Sequence, residues 1–91
     1  MLITVSILVT GKVQGVYFRQ NAKEKAKELG ITGEVKNLPD GSVYIIATGT
    51  IEQLNQLEDW CRQGPPRAMI AGVELTELPL QEFEHFTITR L

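Results

Sequence analysis

Residues 3–30 read ITVSILVTGKVQGVYFRQNAKEKAKELG, and the spacing of the apolar residues changes once within this stretch. From Leu2 to Thr10, apolar and polar residues alternate, which is typical of a half-buried strand. From Phe18 onward the apolar residues recur at three- and four-residue steps, and Gly30 follows the last of them. This spacing predicts an amphipathic helix that ends at Leu29. The connecting loop, residues 11–19, contains two glycines, one arginine and no acidic residue.

Four more strand-like runs and one more helix follow the first helix. The strand-like runs are Ile31–Lys36, Val43–Thr48, Met69–Leu78 with an interruption at Gly72, and a short Phe83–Arg90. Asp40-Gly41 lies between the first two of these runs and favours a hairpin there. A capping box, Thr50 with Gln53, predicts the start of the second helix, and Gly64-Pro65-Pro66 cannot continue it. Its expected buried face consists of Ile51, Leu54, Leu57 and Cys61.

The predicted order of elements is β-α-β-β-α-β with one further short strand. Two helices on one face of an antiparallel sheet bury both helix stripes and one sheet face economically. Right-handed crossovers place the first and third strands in the centre of that sheet. The sequence therefore predicts an α+β fold, a ferredoxin-like βαββαβ sandwich with a short fifth C-terminal strand, as a single domain over residues 1–91.

Composition and charge restrict the class of protein. The net charge is −2, which argues against bulk nucleic-acid binding, yet residues 1–37 carry +3 and residues 38–91 carry −5. Solvated helix faces explain this asymmetry most simply, and a local positive potential for a small anion is the alternative. No apolar run is long enough for a membrane span, and the single cysteine, Cys61, cannot form an internal disulfide. We therefore expect no membrane partner and a cytoplasmic location.

The loop at 11–19 has the chemistry of an anion site. A glycine-containing loop that enters a helix N-terminus presents several unpaired N–H groups at the positive end of the helix dipole. The backbone of Gln14, Gly15, Val16, Tyr17 and Phe18 would supply these donors. Arg19 would add a planar, permanently charged fork that matches phosphate oxygens. The spacing is not that of a Walker loop, because GxxxxGK[ST] is absent.

Loops of this kind are common, so two other classes of protein stay open at this point. One is a ferredoxin-like regulatory module that binds a small anion without converting it. The other is an RNA-binding module of the same topology, although the chain has neither the accompanying aromatic-basic motif nor the charge for it. His85 has no second histidine or cysteine at ligand spacing, so we expect no metal site.

Two motifs of the chain resemble the sequence signatures of the acylphosphatase family. They are GKVQGVYFR at 11–19 and GEVKNLPDGSVYIIATG at 33–49. Gly64-Pro65-Pro66 and the final Phe86–Arg90 are also similar to that family, so the resemblance extends over essentially the whole chain. One departure is Glu34, because the residue after Gly33 is usually aromatic in the family.

The resemblance implies hydrolysis of the carboxyl–phosphate bond of acyl phosphates without a metal or cofactor. In this interpretation the backbone of residues 14–18 and Arg19 bind the phosphoryl group, and Asn37 positions the attacking water. The expected partner is a small-molecule acyl phosphate, and inorganic phosphate or sulfate should be able to occupy the same site. We expect a monomer with no nucleic-acid partner.

Overall fold

The computed structural model describes residues 1–90 and contains five strands and two helices. In chain order the elements are β1 (Ile3–Lys12), α1 (Phe18–Leu29), β2 (Thr32–Asn37), β3 (Val43–Gly49), α2 (Ile51–Gln63), β4 (Met69–Leu78) and β5 (Phe86–Ile88). The predicted element order is confirmed, and most boundaries agree within two residues. β5 is the exception, because the predicted run from Phe83 to Arg90 shortens to three residues. The predicted domain ends at Leu91, which lies outside the described residues.

The strands form one sheet in the order β4-β1-β3-β2-β5. β1 pairs antiparallel with both β3 and β4, and β3 pairs antiparallel with β2, so the predicted central positions of β1 and β3 are confirmed. β5 lies parallel to β2, with Gly33 opposite Phe86 and Val35 opposite Ile88. The four longer strands are antiparallel as predicted, and this added parallel strand makes the complete sheet mixed.

Both helices bury their apolar stripes against the same sheet face. Phe18, Ala22 and Ala26 of α1 are buried, as are Leu54, Leu57 and Cys61 of α2. They meet the inward side chains of β1 and β3, which include Val5, Ile7, Val9, Val43, Ile45 and Ala47. The helix periodicity predicted this core with one error, because Ile51 is 57% exposed. Ile51 is the first residue of α2, directly after the N-cap.

The ends of both helices follow from local chemistry. The Thr50 hydroxyl accepts the N–H of Gln53, and the Gln53 side chain accepts the N–H of Thr50, which is the predicted capping box. Gly30 ends α1 in the left-handed conformation, with its N–H on the carbonyl of Lys27. Neither α1 nor α2 has the length and apolar character that a membrane-crossing helix requires.

The predicted interruption of β4 at Gly72 corresponds to a change of register. Thr10 lies opposite Gly72, but Gly11 lies opposite Ile70, so one residue of β4 is left without a partner. Gly11 has a φ of 119°, and a Cβ there would lie 2.2 Å from the carbonyl oxygen of Met69. Only glycine fits this close approach of the two strands. The irregularity lies near the end of β1, just before the loop that leads to α1.

Candidate active site

The loop between β1 and α1 turns through two residues in the left-handed backbone region. Gly15 has a φ of 74°, and Tyr17 has a φ of 62° and a ψ of 25°. Tyr17 is the only non-glycine residue within 1–90 with a positive φ. A non-glycine residue in this region costs of the order of 1 kcal/mol and needs support from its surroundings. The side chains of Val16 and Phe18 give that support, because both are buried in the core.

The loop and the first turn of α1 present a series of unpaired backbone donors. Within residues 1–90, none of the N–H groups of residues 14–20 donates to a backbone carbonyl, and the first one that does is Asn21, to Tyr17. No side chain caps the helix, and its first turn contains no acidic residue. Left-handed residues in a loop turn successive N–H groups towards one side. The segment therefore has the donors and the dipole of an anion site, with no protein group in the described chain to satisfy them.

A cleft of about 540 Å³ lies against this segment. It is lined by Val13, Gln14, Gly15, Tyr17, Phe18, Arg19, Gln20, Asn37, Ile88 and Arg90. The structure thus brings together all but one of the site residues that the sequence indicated. Val16 does not line the cleft, since its side chain points into the core. Asn37 reaches the cleft because β2 ends there.

The charged side chains that line the cleft are both arginines. Arg19 comes from the first turn of α1 and Arg90 follows the end of β5. The lining contains no aspartate or glutamate, so the field inside the cleft favours an anion. Arg90 was not among the residues predicted for the site. Its position depends on the parallel pairing of β5 with β2, and no local pattern of the sequence encodes that pairing.

The Gln14 side chain ties the loop to the turn between β2 and β3. Its Nε2 donates to the carbonyl of Leu38 at 2.8 Å and to the carbonyl of Ser42 at 2.9 Å. The resemblance gave Gln14 only a backbone role. The structure shows that its side chain connects the loop with the turn that directly follows Asn37, so the two halves of the cleft are joined by side-chain hydrogen bonds.

The turn itself is closed by Asp40. One of its carboxylate oxygens accepts both the N–H of Ser42, at 2.9 Å, and the Ser42 hydroxyl, at 2.6 Å. These bonds, the hydroxyl first, lower the pKa of Asp40 below its ordinary value. Ser42 also accepts the N–H of Leu38 on its carbonyl, at 2.9 Å. Aspartate and glycine at this position were predicted to form a turn, and they hold the two carbonyls to which Gln14 donates.

The side-chain oxygen of Asn37, Oδ1, is buried and accepts no hydrogen bond from residues 1–90. An unpaired buried acceptor costs about 1–3 kcal/mol, so it is rare away from functional sites. No hydrogen bond within residues 1–90 holds this oxygen in place. A turn of the amide about χ2, a broad and roughly two-fold torsion, would therefore break no hydrogen bond of this oxygen.

Several other polar side chains of the first half of the chain, and His85, lie outside the cleft. The Lys36 ammonium lies 5.7 Å from the centre of the Tyr44 ring, and neither Lys36 nor Lys12 lines the cleft. The carbonyl of His85 accepts the N–H of Gly33 at the edge of the sheet. Within residues 1–90, no group of three or more histidine, cysteine, aspartate or glutamate side chains is arranged to hold a metal ion.

Comparison with known proteins agrees with the fold and with both motifs. The family model described as Acylphosphatase matches residues 5–88. An acylphosphatase of Marinobacter nauticus is 54% identical over 84 residues, which cover 91% of each chain. An acylphosphatase of Methylococcus capsulatus is 47% identical over 87 residues, which cover 94% of this chain and 95% of that one. The solved structure of an acylphosphatase from Coxiella burnetii superimposes with a TM-score of 0.94 at 36% identity and covers 97% of this chain and 93% of that chain. This chain belongs to the acylphosphatase family.

Proposed function

We propose how this chain carries out the acyl phosphate hydrolysis of its family: the loop amides and Arg19 hold the phosphoryl group while Asn37 orients the attacking water. No metal takes part in this mechanism. The observation that carries the proposal is the cleft, since residues with unpaired N–H groups, Arg19 and Asn37 all line one volume.

Phosphoryl binding follows from the donors. A phosphoryl dianion can accept several N–H groups from residues 14–20 and a bidentate pair from Arg19. Phosphoryl transfer passes through a loose transition state that spreads charge over the equatorial oxygens. Donors that are fixed before the reaction stabilise this charge without having to reorganise. Burial of the Val16 and Phe18 side chains fixes the donors in this loop.

Water attack is the role of Asn37. In the reactive complex the amide turns so that its oxygen faces the cleft and accepts a hydrogen from the water. The water oxygen forms the new bond to phosphorus while the bond from phosphorus to the acyl oxygen breaks, and the acyl group leaves as a carboxylate with the bonding electron pair. Asn37 cannot take up the proton, so the proton passes to a phosphoryl oxygen or to solvent. A carboxylate needs little help to leave, and so this mechanism needs no general acid.

The test is turnover without metal. The protein is incubated with acetyl phosphate or benzoyl phosphate in the presence of EDTA, and release of inorganic phosphate is followed. We expect hydrolysis at the same rate with and without the chelator. Binding of inorganic phosphate without turnover of either substrate would instead indicate an anion-binding module, and loss of activity in EDTA would overturn the metal-free mechanism.

We also propose that the protein is a monomer in the cytoplasm, and that its partners are small acyl phosphates and not nucleic acids. The family membership and the single unpaired, buried Cys61 support this proposal. Sedimentation of the purified protein tests the monomer. A sedimentation coefficient typical of a dimer would contradict it.

A further inference from the structure

Arg90 reaches the cleft from an element that the two sequence motifs do not include. β5 runs parallel to β2, and Ile88 lies opposite Val35. Arg90 and Asn37 each lie two residues further along the chain from this pair, so both lie at the same end of the two parallel strands. Both of them line the cleft. Arg90 therefore stands on the Asn37 side of the cleft, whereas Arg19 stands on the α1 side.

The two guanidinium groups share the cleft without an acid. Arg19 and Arg90 are the charged residues that line it, and neither belongs to the ion pairs present within residues 1–90, Lys25–Glu28 and Arg62–Glu58. Two like charges in one cleft repel each other unless an anion lies between them. A phosphoryl dianion carries two negative charges and has oxygens for both groups. The two positive charges of Arg19 and Arg90 are therefore balanced by the two negative charges of the phosphoryl dianion.

A side-chain hydrogen bond holds the backbone from which Arg90 projects. The Thr89 hydroxyl donates to Oε2 of Glu34 at 3.1 Å, and the Thr89 N–H donates to the carbonyl of Val35 at 2.9 Å. β5 itself ends at Ile88, so these two bonds extend its attachment to β2 by one residue. Glu34 does not line the cleft, and its hydrogen bond to the Thr89 hydroxyl connects it to the residue directly before Arg90.

We infer that Arg90 is a second phosphate-binding cation of the cleft, and that Glu34 is a positioning residue that fixes Arg90 through the Thr89 hydroxyl. This inference rests on the proposed function and adds a residue from a third element to its site.

Steady-state hydrolysis of acetyl phosphate and inhibition by inorganic phosphate test the inference in five variants. Arg90→Gln should raise both KM and the phosphate inhibition constant about tenfold and change kcat less than threefold. Thr89→Val and Glu34→Ala should each give part of this effect. Glu34→Gln keeps an acceptor for the hydroxyl and should retain wild-type values. Arg67→Gln removes the same charge from an exposed residue outside the cleft and serves as the matched control.

Coupling distinguishes positioning from a general loss of structure. In the Arg90→Gln background, Thr89→Val should add almost nothing to KM, because the group that it positions has gone. Full additivity, or an Arg90→Gln effect no larger than that of Arg67→Gln, would overturn the inference. So would an effect seen with succinyl phosphate but not with acetyl phosphate, which would assign Arg90 to a carboxylate on the acyl chain. Absence of turnover in the wild type would instead count against the proposed function.

Discussion

Arg19 occupies a position that helix electrostatics alone disfavours. It lies in the first turn of α1, where the helix dipole is positive and acidic residues are preferred, and that turn contains none. The neighbouring N–H groups are unpaired within the described chain. Positive charge collected at one place is stabilised by an anion, so this residue and its unpaired donors are best explained together, by the ligand that they would bind.

Replacement of Arg19 by lysine keeps the charge and removes the fork. We expect kcat/KM for acetyl phosphate to fall about 10- to 100-fold, with phosphate inhibition weakened in parallel, because an ammonium cannot make the bidentate contact. Steady-state kinetics and the inhibition constant for phosphate measure both effects. A lysine variant with wild-type kinetics would show that charge alone suffices.

Replacement of Asn37 by alanine should separate binding from chemistry. We expect kcat to fall about 100-fold or more with little change in the phosphate inhibition constant, since the water and not the phosphoryl group loses its partner. Asn55→Ala, on the exposed side of α2, is the matched control. The water-positioning role would be wrong if Asn37→Ala retained the full rate.

At the scale of elements, the site depends on how the β1–α1 loop is held against the β2–β3 turn. The loop carries the proposed phosphate donors, and the turn begins directly after Asn37. The two segments share the pair of hydrogen bonds from the Gln14 amide to the carbonyls of Leu38 and Ser42. A change at Gln14 should thus shift the loop donors relative to Asn37 without removing either.

Gln14→Leu should reduce catalysis without removing any group that contacts the substrate in the proposed mechanism. We expect kcat to fall about 5- to 30-fold and the free energy of unfolding to fall by about 1–2 kcal/mol, the usual cost of lost side-chain hydrogen bonds. Gln14→Glu should behave in the same way at neutral pH, because a carboxylate accepts and does not donate.

Kinetics combined with urea unfolding measure both quantities, with Gln56→Leu on the exposed face of α2 as the control. A Gln14→Glu variant as active as the wild type would show that the two carbonyl bonds do not set the geometry of the cleft.

Features that depend on residues close together in the sequence could be predicted, and features that depend on distant residues could not. α1 and α2 were located because the spacing of their apolar residues, Gly30 and the capping box of Thr50 are local signals. The parallel placement of β5 could not be derived, since a three-residue strand carries no register information. Arg90 was missed for the same reason. The motif match predicted Gln14, but the partners of its side chain lie more than twenty residues away.

On the scale of the whole molecule, both helices and the sheet share one core, and Cys61 lies within it. Burial is the main reason that the pKa of the Cys61 thiol rises from an ordinary 9.0 to about 12, and the nearby Glu58 carboxylate raises it further. The thiol therefore stays neutral in the folded protein at pH values where it ionises in the unfolded chain. Its position on the buried face of α2 was predicted from the helix spacing.

This difference makes stability depend on alkaline pH. Below about pH 9 the thiol is protonated in both states and contributes nothing to the pH dependence. Between about pH 9 and 12 only the unfolded chain loses the proton, so the free energy of unfolding falls as the pH rises, by up to about 1.4 kcal/mol per pH unit from this group.

Cys61→Ala should remove this contribution to the pH dependence. The packing that it loses should lower the free energy of unfolding by an amount that does not change with pH. Urea unfolding of both proteins at pH 8, 9, 10 and 11 measures the difference between their slopes, in which the tyrosines and lysines common to both cancel. Parallel slopes above pH 9 would contradict the buried, neutral thiol. Activity per folded molecule should be the same in the two proteins at pH 7.

The pairing of β1 with β4 determines when the sheet can be completed during synthesis of the chain. β1 is an inner strand of the sheet, yet its partner on one side is β4, which places Leu75 opposite Ile7 and is synthesised after both helices. Until residues 69–78 leave the ribosome, β1 has an open hydrogen-bonding edge that another nascent chain could pair with. Loop closure over such a separation is also slow. Emergence of β4, and not that of the loop motif alone, should therefore be the moment at which β1 is paired on both sides and its loop is first held in place.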